Sequence, residues 1–363
     1  MTRDETSARK RDHIRLSLER DVGFREKSTW FEYVELVHQA LPELDFHEVS
    51  TETTFLGRRF SMPLLIEGMT GGTPEAAEIN GNLAEAAERV NIPMGVGSQR
   101  AAIADPQLEY TFRVARKRGP GAFLIANISG VQLAKEGVEW AEKAVEMIEA
   151  DALAIHLNTL QEVVQPEGYA GFKGVRDAVE KAAERLGVPI IVKEIGCGIS
   201  REAARMIEEA GASAIDVAGS GGTNWTLIEM MRAEGVDEEK KALAEVFLEW
   251  GIPTAASLIE VASTVKIEVI ASGGVRTGLD IVKAMALGAC MGGMAHPFLR
   301  PATQNPESVE ARLMRVKREI QAALFLTGCR STSEITRSKA VIFGPLLEWV
   351  RQRVGDNRHD KSL

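Results

Sequence analysis

The sequence predicts an α/β chain of the (β/α)8 TIM-barrel class, and three observations carry that reading. Eight short apolar runs recur from about residue 60 onward without the polar alternation of a half-exposed sheet, as expected of parallel strands covered on both faces. Amphipathic segments separate them, so the series reads as repeated βα units with right-handed crossovers. A polar or glycine-rich cluster closes each run at its C-terminal end, the face on which such barrels build their sites. A doubly wound open sheet would place G-x-G-x-x-G after an early strand, and none stands there.

The strands are read at 62–67, 92–96, 121–126, 151–156, 189–194, 213–217, 268–272 and 289–294. Between them, Ile79, Leu83, Ala87 and Val90 share one helical face in 75–90, and Val138, Ala141, Val145 and Ile148 share another in 138–150. Thr73 before Pro74 makes an N-cap with proline at the first helical position. Residues 1–60 precede the repeat as an N-terminal extension. They hold a charged arm, a helix-like stretch with Trp30, Phe31, Val34 and Val37, and an alternating segment, VSTETTFLGRRF, that reads as a hairpin closing the barrel bottom. The barrel is expected over 61–350. Residues 219–251, after strand six, are the longest gap and read as a lid-like insertion that starts SGGTNW and ends in a helix-like EEKKALAEVFLEW. Residues 351–363 read as a disordered tail.

Composition narrows the function. Of 363 residues, 43 are Lys or Arg and 52 Asp or Glu, a net charge of −9. That argues against general nucleic-acid binding but leaves room for an anion held in a local basic pocket. Cys197, Cys290 and Cys329 are too few and too scattered for a disulfide framework or a zinc site, so a reducing, cytoplasmic setting is expected. The charged N-terminus has no secretory h-region, and no apolar run reaches the ~18 residues of a membrane span.

The strand-end clusters supply the candidate site. They are GMTGG (68–72), GSQR (97–100), Asn127, HLNTLQE (156–162), Lys193, GSGGT (219–223), SGGVR (272–276) and GGMA (292–295). Glycines after strands seven and eight let backbone N–H groups approach a phosphate; this does not separate a substrate phosphate from that of a flavin mononucleotide. Lys193 is either an ion-pair partner of Glu194 or Asp216 or a cation facing an anionic reduced flavin ring, with Asn127 and Ser98 as neutral donors. His156 is a general-base candidate. Gln161 does not titrate, so its role is orientation. Glu162 is either an exposed helix-start carboxylate or one ligand of a Mg²⁺ whose shell phosphate oxygens complete. Arg9, Lys10, Arg11 and His13 are either a solvated tail or counter-charge for a diphosphate, with Arg100 a further cation.

Together and in order, S-A-R-K-R-D-H (7–13), M-T-G-G (69–72), G-S-Q-R (97–100), H-L-N-x-x-Q-E-x-x-Q-P-E-G (156–168), Lys193, S-G-G-T-N-W (220–225) and S-G-G-V-R (272–276) resemble the type 2, flavin-dependent isopentenyl-diphosphate delta-isomerases. The resemblance runs from about residue 7 to 345. It implies interconversion of isopentenyl and dimethylallyl diphosphate, with reduced FMN as the main acid and base, Mg²⁺ on the diphosphate and NADPH as reductant. It assigns substrate binding to Arg9, Lys10, His13, Ser98, Gln99, Arg100, His156, Asn158 and Gln161, with the last three as catalytic candidates, and the metal to Glu162. FMN falls to Met69, Thr70, Gly71, Ser98, Asn127, Lys193 and Thr223, and its phosphate to Gly273, Gly274, Arg276, Ala295 and His296. It also implies a homotetramer or homo-octamer, with residues 1–20 folding over substrate in their own or a neighbouring subunit. The competing readings are an α-hydroxy-acid oxidase, a nucleotide dehydrogenase using Cys197, and a non-catalytic barrel that binds flavin or phosphate.

Overall fold

The structure, a computed structural model, describes residues 3–355, with side chains from Arg9 onward. Strands β1 (Leu64–Ile66), β2 (Met94–Gly95), β3 (Leu124–Ser129), β4 (Ala152–His156), β5 (Ile190–Lys193), β6 (Ala214–Asp216), β7 (Glu268–Ala271) and β8 (Met291–Met294) form a closed parallel barrel, each paired with the next and β8 with β1. Seven lie inside the predicted runs. β3 continues to Ser129, so Asn127 sits within the strand rather than after it. Register places His156 opposite Lys193 and Lys193 opposite Asp216, one row of polar groups at the C-terminal end of three adjacent strands.

Thr73 caps the helix Pro74–Val90 by accepting from the Ala76 N–H at 3.1 Å. The 49–60 segment is a hairpin, Thr53–Phe55 against Arg58–Phe60, turning through Leu56 and Gly57 at φ 47° and 74°. Two successive positive φ values fit the twist of a two-residue turn. The pattern T-T-F…R-R-F puts Phe55 and Phe60 on one face. Both are fully buried with Leu65, Phe123, Ile125, Ile191 and Met291, which plugs the N-terminal end of the barrel. Phe60 meets Phe123 edge to face at 5.5 Å, and the Leu56 N–H donates to Glu268 at 2.8 Å.

Residues 30–37 are not a helix. A single 3₁₀ turn, Phe31–Tyr33, leads into the strand Val34–Leu36, which pairs antiparallel with Ala340–Ile342. Val34 is buried and Glu35 exposed, a period of two that competes with the helical spacing. The charged arm is itself helical over Arg3–Glu19. It lies across the C-terminal mouth of the barrel, Leu16 packing with Val22 and Ile228. Its last carbonyls lack intrahelical partners, as at any helix end, and Ser17 O and Leu18 O accept from His296 (3.0 Å) and Arg300 (2.8 Å).

The insertion holds two helices, Trp225–Ala233 and Glu238–Val246, where one ending near 250 was expected. Asn224 and Asp237 cap them. The helix Gly344–Arg353 crosses the boundary expected at 351, and residues 356–363 lie outside the described residues. Among the described residues no helix is long and apolar enough to cross a membrane.

Candidate active site

A cleft opens at the C-terminal face of the barrel under the N-terminal helix. It encloses about 1490 Å³ of empty space, open mouth included. Of the residues proposed from sequence, Arg9, Lys10, His13, Met69, Thr70, Ser98, Arg100, Asn127, His156, Asn158, Gln161, Glu162, Lys193, Thr223, Gly273, Gly274, Arg276, Ala295 and His296 line it. Gln99 and Gly71 do not. Gln99 points away from the cleft, its amide donating to Ala144 O at 2.8 Å and accepting from the Asn127 N–H at 2.9 Å. Gly71 sits against Phe112, whose ring would lie 2.0 Å from an added Cβ, so it serves packing.

On one side of the cleft His156 Nδ1 meets Asn127 Oδ1 at 2.8 Å. Burial, then the charges of Lys193, Lys10 and Arg9, push His156 down to about 3. The ring is therefore neutral at physiological pH and offers no acidic proton. Beside it Asn158 Nδ2 donates to both Gln161 Oε1 and Glu162 Oε1 at 3.0 Å. Glu162 is buried rather than exposed; its second oxygen accepts from Gln165 Nε2 and the Tyr169 N–H, each at 2.8 Å.

Sequence reasoning missed Glu229. It stands in the apolar run W-T-L-I-E-M-M, and a lone carboxylate there was the available signal. Wholly buried, it accepts from Gln161 Nε2 at 2.7 Å and His13 at 3.0 Å, and pairs with Arg232. Burial alone would raise this carboxyl, but the His13 bond and charge, then Arg232, hold it at about 2. Glu229 thus ties the N-terminal helix, the short helix Thr159–Val164 that carries Gln161, and the insertion together.

Beside His156 on the adjacent strand β5 stands Lys193, with Nζ 3.0 Å from Asp216 Oδ2 and 3.4 Å from Glu67 Oε2. Charge from both carboxyl groups outweighs burial and raises the lysine. Ser272 donates to Asp216 at 2.6 Å. Gly273 and Gly274 have φ of 91° and 79°, conformations that favour glycine. Added Cβ atoms would lie 2.1 Å from Gly219 O and 2.4 Å from Thr29 Cγ2. The turn is thus set by packing as well as by any ligand. Cys197 is a poor nucleophile: burial, then Glu194, push its thiol up.

Two features suit an anionic flavin nucleotide. Thr70 Oγ1 is buried without a hydrogen-bond partner, and Arg276 lines the cleft with its guanidinium depressed by burial, a state that a phosphate relieves. For a metal, no group of three His, Cys, Asp or Glu could hold an ion among the described residues. Glu162, the carboxylate expected to hold Mg²⁺, lines the cleft with both oxygens already accepting hydrogen bonds.

A family profile described as FMN-dependent dehydrogenase matches residues 2–155 and 156–342. An isopentenyl-diphosphate delta-isomerase of Methanosarcina barkeri is 47% identical over 359 residues, covering 99% of this chain and 98% of its own. That of Archaeoglobus fulgidus is 46% identical over 345 residues, covering 95% and 98%. A solved mandelate oxidase with benzoyl-formic acid superposes with a TM-score of 0.58 at 18% identity, covering 92% of this chain and 96% of that one, a likeness of fold alone. The chain therefore belongs to the FMN-dependent dehydrogenase family and, within it, to the isopentenyl-diphosphate delta-isomerases.

Proposed function

We propose that this chain interconverts isopentenyl and dimethylallyl diphosphate, using reduced FMN, with NADPH as the electron source and Mg²⁺ on the diphosphate. One observation carries the reading. The N-terminal helix brings Arg9 and Lys10 into the cleft beside Arg100, where burial, then Arg9 and Arg100, pull Lys10 down to about 7. A lysine crowded by two arginines this far below its ordinary charge calls for a polyanion, and a diphosphate supplies it.

The reaction adds a proton at one end of an alkene and removes one two carbons away, through a cation-like intermediate. His156, Asn158 and Gln161 offer no acid strong enough for that first step. When bound, the reduced flavin supplies the proton donor and acceptor. The side chains do the rest. Arg9, Lys10, His13, Ser98 and Arg100 hold the diphosphate, and Glu162 is the residue that would hold Mg²⁺ against it. Gln161, fixed between Asn158 and Glu229, orients the hydrocarbon end. The ionised Glu229 places negative potential one hydrogen bond away, where positive charge develops. The helix roof keeps water from the intermediate. Met69, Thr70, Asn127, Lys193 and Thr223 would hold the flavin ring, with Gly273, Gly274, Arg276, Ala295 and His296 around its phosphate.

Hydroxy-acid oxidation, the chemistry named by the structural neighbour, would want a histidine base just before the Gly-Gly of strand seven. Ser272 stands there, committed to Asp216. The deciding assay is anaerobic: FMN-loaded protein, dithionite and Mg²⁺, with isopentenyl diphosphate in D₂O followed by NMR. Deuterated dimethylallyl diphosphate formed only with reduced flavin is expected. Bound FMN without conversion would overturn the reading.

A further inference from the structure

Glu67, at the C-terminal end of β1, is a carboxyl group that the proposed reaction does not use. It lines the floor of the cleft, and two carboxyl groups, Glu67 and Asp216, share the single ammonium of Lys193. All three side chains are nearly buried, at 8%, 1% and 11% exposure. Asp216 has other donors, since its Oδ1 accepts from Ser272 Oγ and from the Ala218 N–H at 3.3 Å. Glu67 Oε1 and Asp216 Oδ2 are both buried with no hydrogen-bond partner, with Lys193 Nζ 3.0 Å from the latter. Two buried carboxylates against one ammonium leave a net negative charge that is expensive to bury, whereas a shared proton satisfies both groups. The backbone makes room for it: an added Cβ on Gly293 would fall 2.2 Å from Glu67 Oε1. A small cavity lined by Glu67, Gly95, Asn127, Lys193 and Asp216 lies against the pair.

We propose that Glu67 stands as a neutral carboxylic acid hydrogen-bonded to Asp216, and that this proton sets the charge which the Lys193 centre presents to the flavin. With Glu67 protonated, the ammonium and Asp216 cancel. When the Glu67 O–H bond breaks, the proton passes to solvent, no electron moves, and the centre gains one negative charge. That charge opposes the anionic reduced flavin, so reduction becomes harder. The inference rests on the flavin reading of the site, not on the identity of the substrate.

Burial, then Asp216, push Glu67 up to about 8, with Lys193 opposing. The groups facing the cluster are Lys193 on β5, Asp216 on β6 and His156 on β4. His156 stays neutral throughout. Glu194, raised to about 7 by burial against three backbone N–H donors, and Lys10 titrate nearby, so substitution is needed to separate them.

The test measures the FMN midpoint potential of holoenzyme without substrate, from about pH 6 to pH 10, for wild type, Glu67→Gln, Glu194→Gln and Lys10→Met. Wild type should show a bend near pH 8. Glu67→Gln alone should lose it and hold a more positive potential on the alkaline side. A bend that survives in Glu67→Gln overturns the proposal. Should that variant fail to bind FMN, infrared titration of Glu194→Gln, in which the competing carboxyl is gone, decides. A protonated-carboxyl stretch present at neutral pH and lost above the bend supports the proposal; its absence at neutral pH overturns it. A protein with the Glu67 bend that converts no isopentenyl diphosphate loses the isomerase reading and keeps this one.

Discussion

At the scale of single residues, the site mixes groups held away from their ordinary protonation with groups that never titrate. Lys10 is the clearest case. Its folded-state pKa, about 7, lies below the ordinary 10.5, so the free protein gives up that proton as pH rises past neutrality, while a bound diphosphate restores it. Binding of inorganic pyrophosphate to holoenzyme near pH 8 should therefore take up protons, and Lys10→Met should take up fewer. Calorimetry in buffers of different ionisation heat reads the difference, and equal uptake would remove Lys10 from the anion site. Gln161 behaves oppositely. Gln161→Asn pulls the amide back from both Asn158 and Glu229, so turnover should drop by about 10²-fold or more while the protein stays yellow. Full activity would exclude Gln161 from the chemistry. Most of these residues were legible, because a barrel strand ends in the site and polar residues there stand out against apolar runs. Gln99 was not: it neighbours Ser98 and Arg100 in sequence, but its side chain turns into the wall, and direction within a loop is not written in spacing.

At the scale of elements, the strands were legible and the pieces tied to them less so. The eight apolar runs each had one reading, whereas the N-terminal arm is nearly all polar and shows no packing face before its partners are known. Its order comes from elsewhere in the chain: Glu229 receives His13, and His296 and Arg300 receive the helix's last carbonyls. The helix Trp225–Ala233 was hidden for a similar reason, its buried glutamate interrupting the apolar pattern. Deleting residues 1–13 should raise KM for the diphosphate substrate about tenfold or more, since one lost charge-assisted contact is worth ~1.5–3 kcal/mol, and leave FMN bound. Loss of FMN instead would make the helix part of the cofactor site.

At the scale of the whole molecule, the hairpin and the N-terminal helix do opposite jobs at opposite ends of one barrel. Phe55 and Phe60 are wholly buried in the floor plug, far along the strands from the polar row of His156, Lys193 and Asp216. Phe60→Ala should therefore reduce the unfolding free energy in urea by about 3–5 kcal/mol and leave kcat unchanged; a matching fall in kcat would show that the floor shapes the site. The packed interior also dictates an itinerary. A barrel filled by side chains below its cleft loads and empties through the cleft mouth, and there the roof lies above the space assigned to the flavin. Loading is then last in, first out: flavin first, diphosphate second, and no spent cofactor leaving while an anion holds the roof shut. Pyrophosphate should slow FMN washout from the holoenzyme, and an unchanged rate of washout would mean that the nucleotide has a second exit.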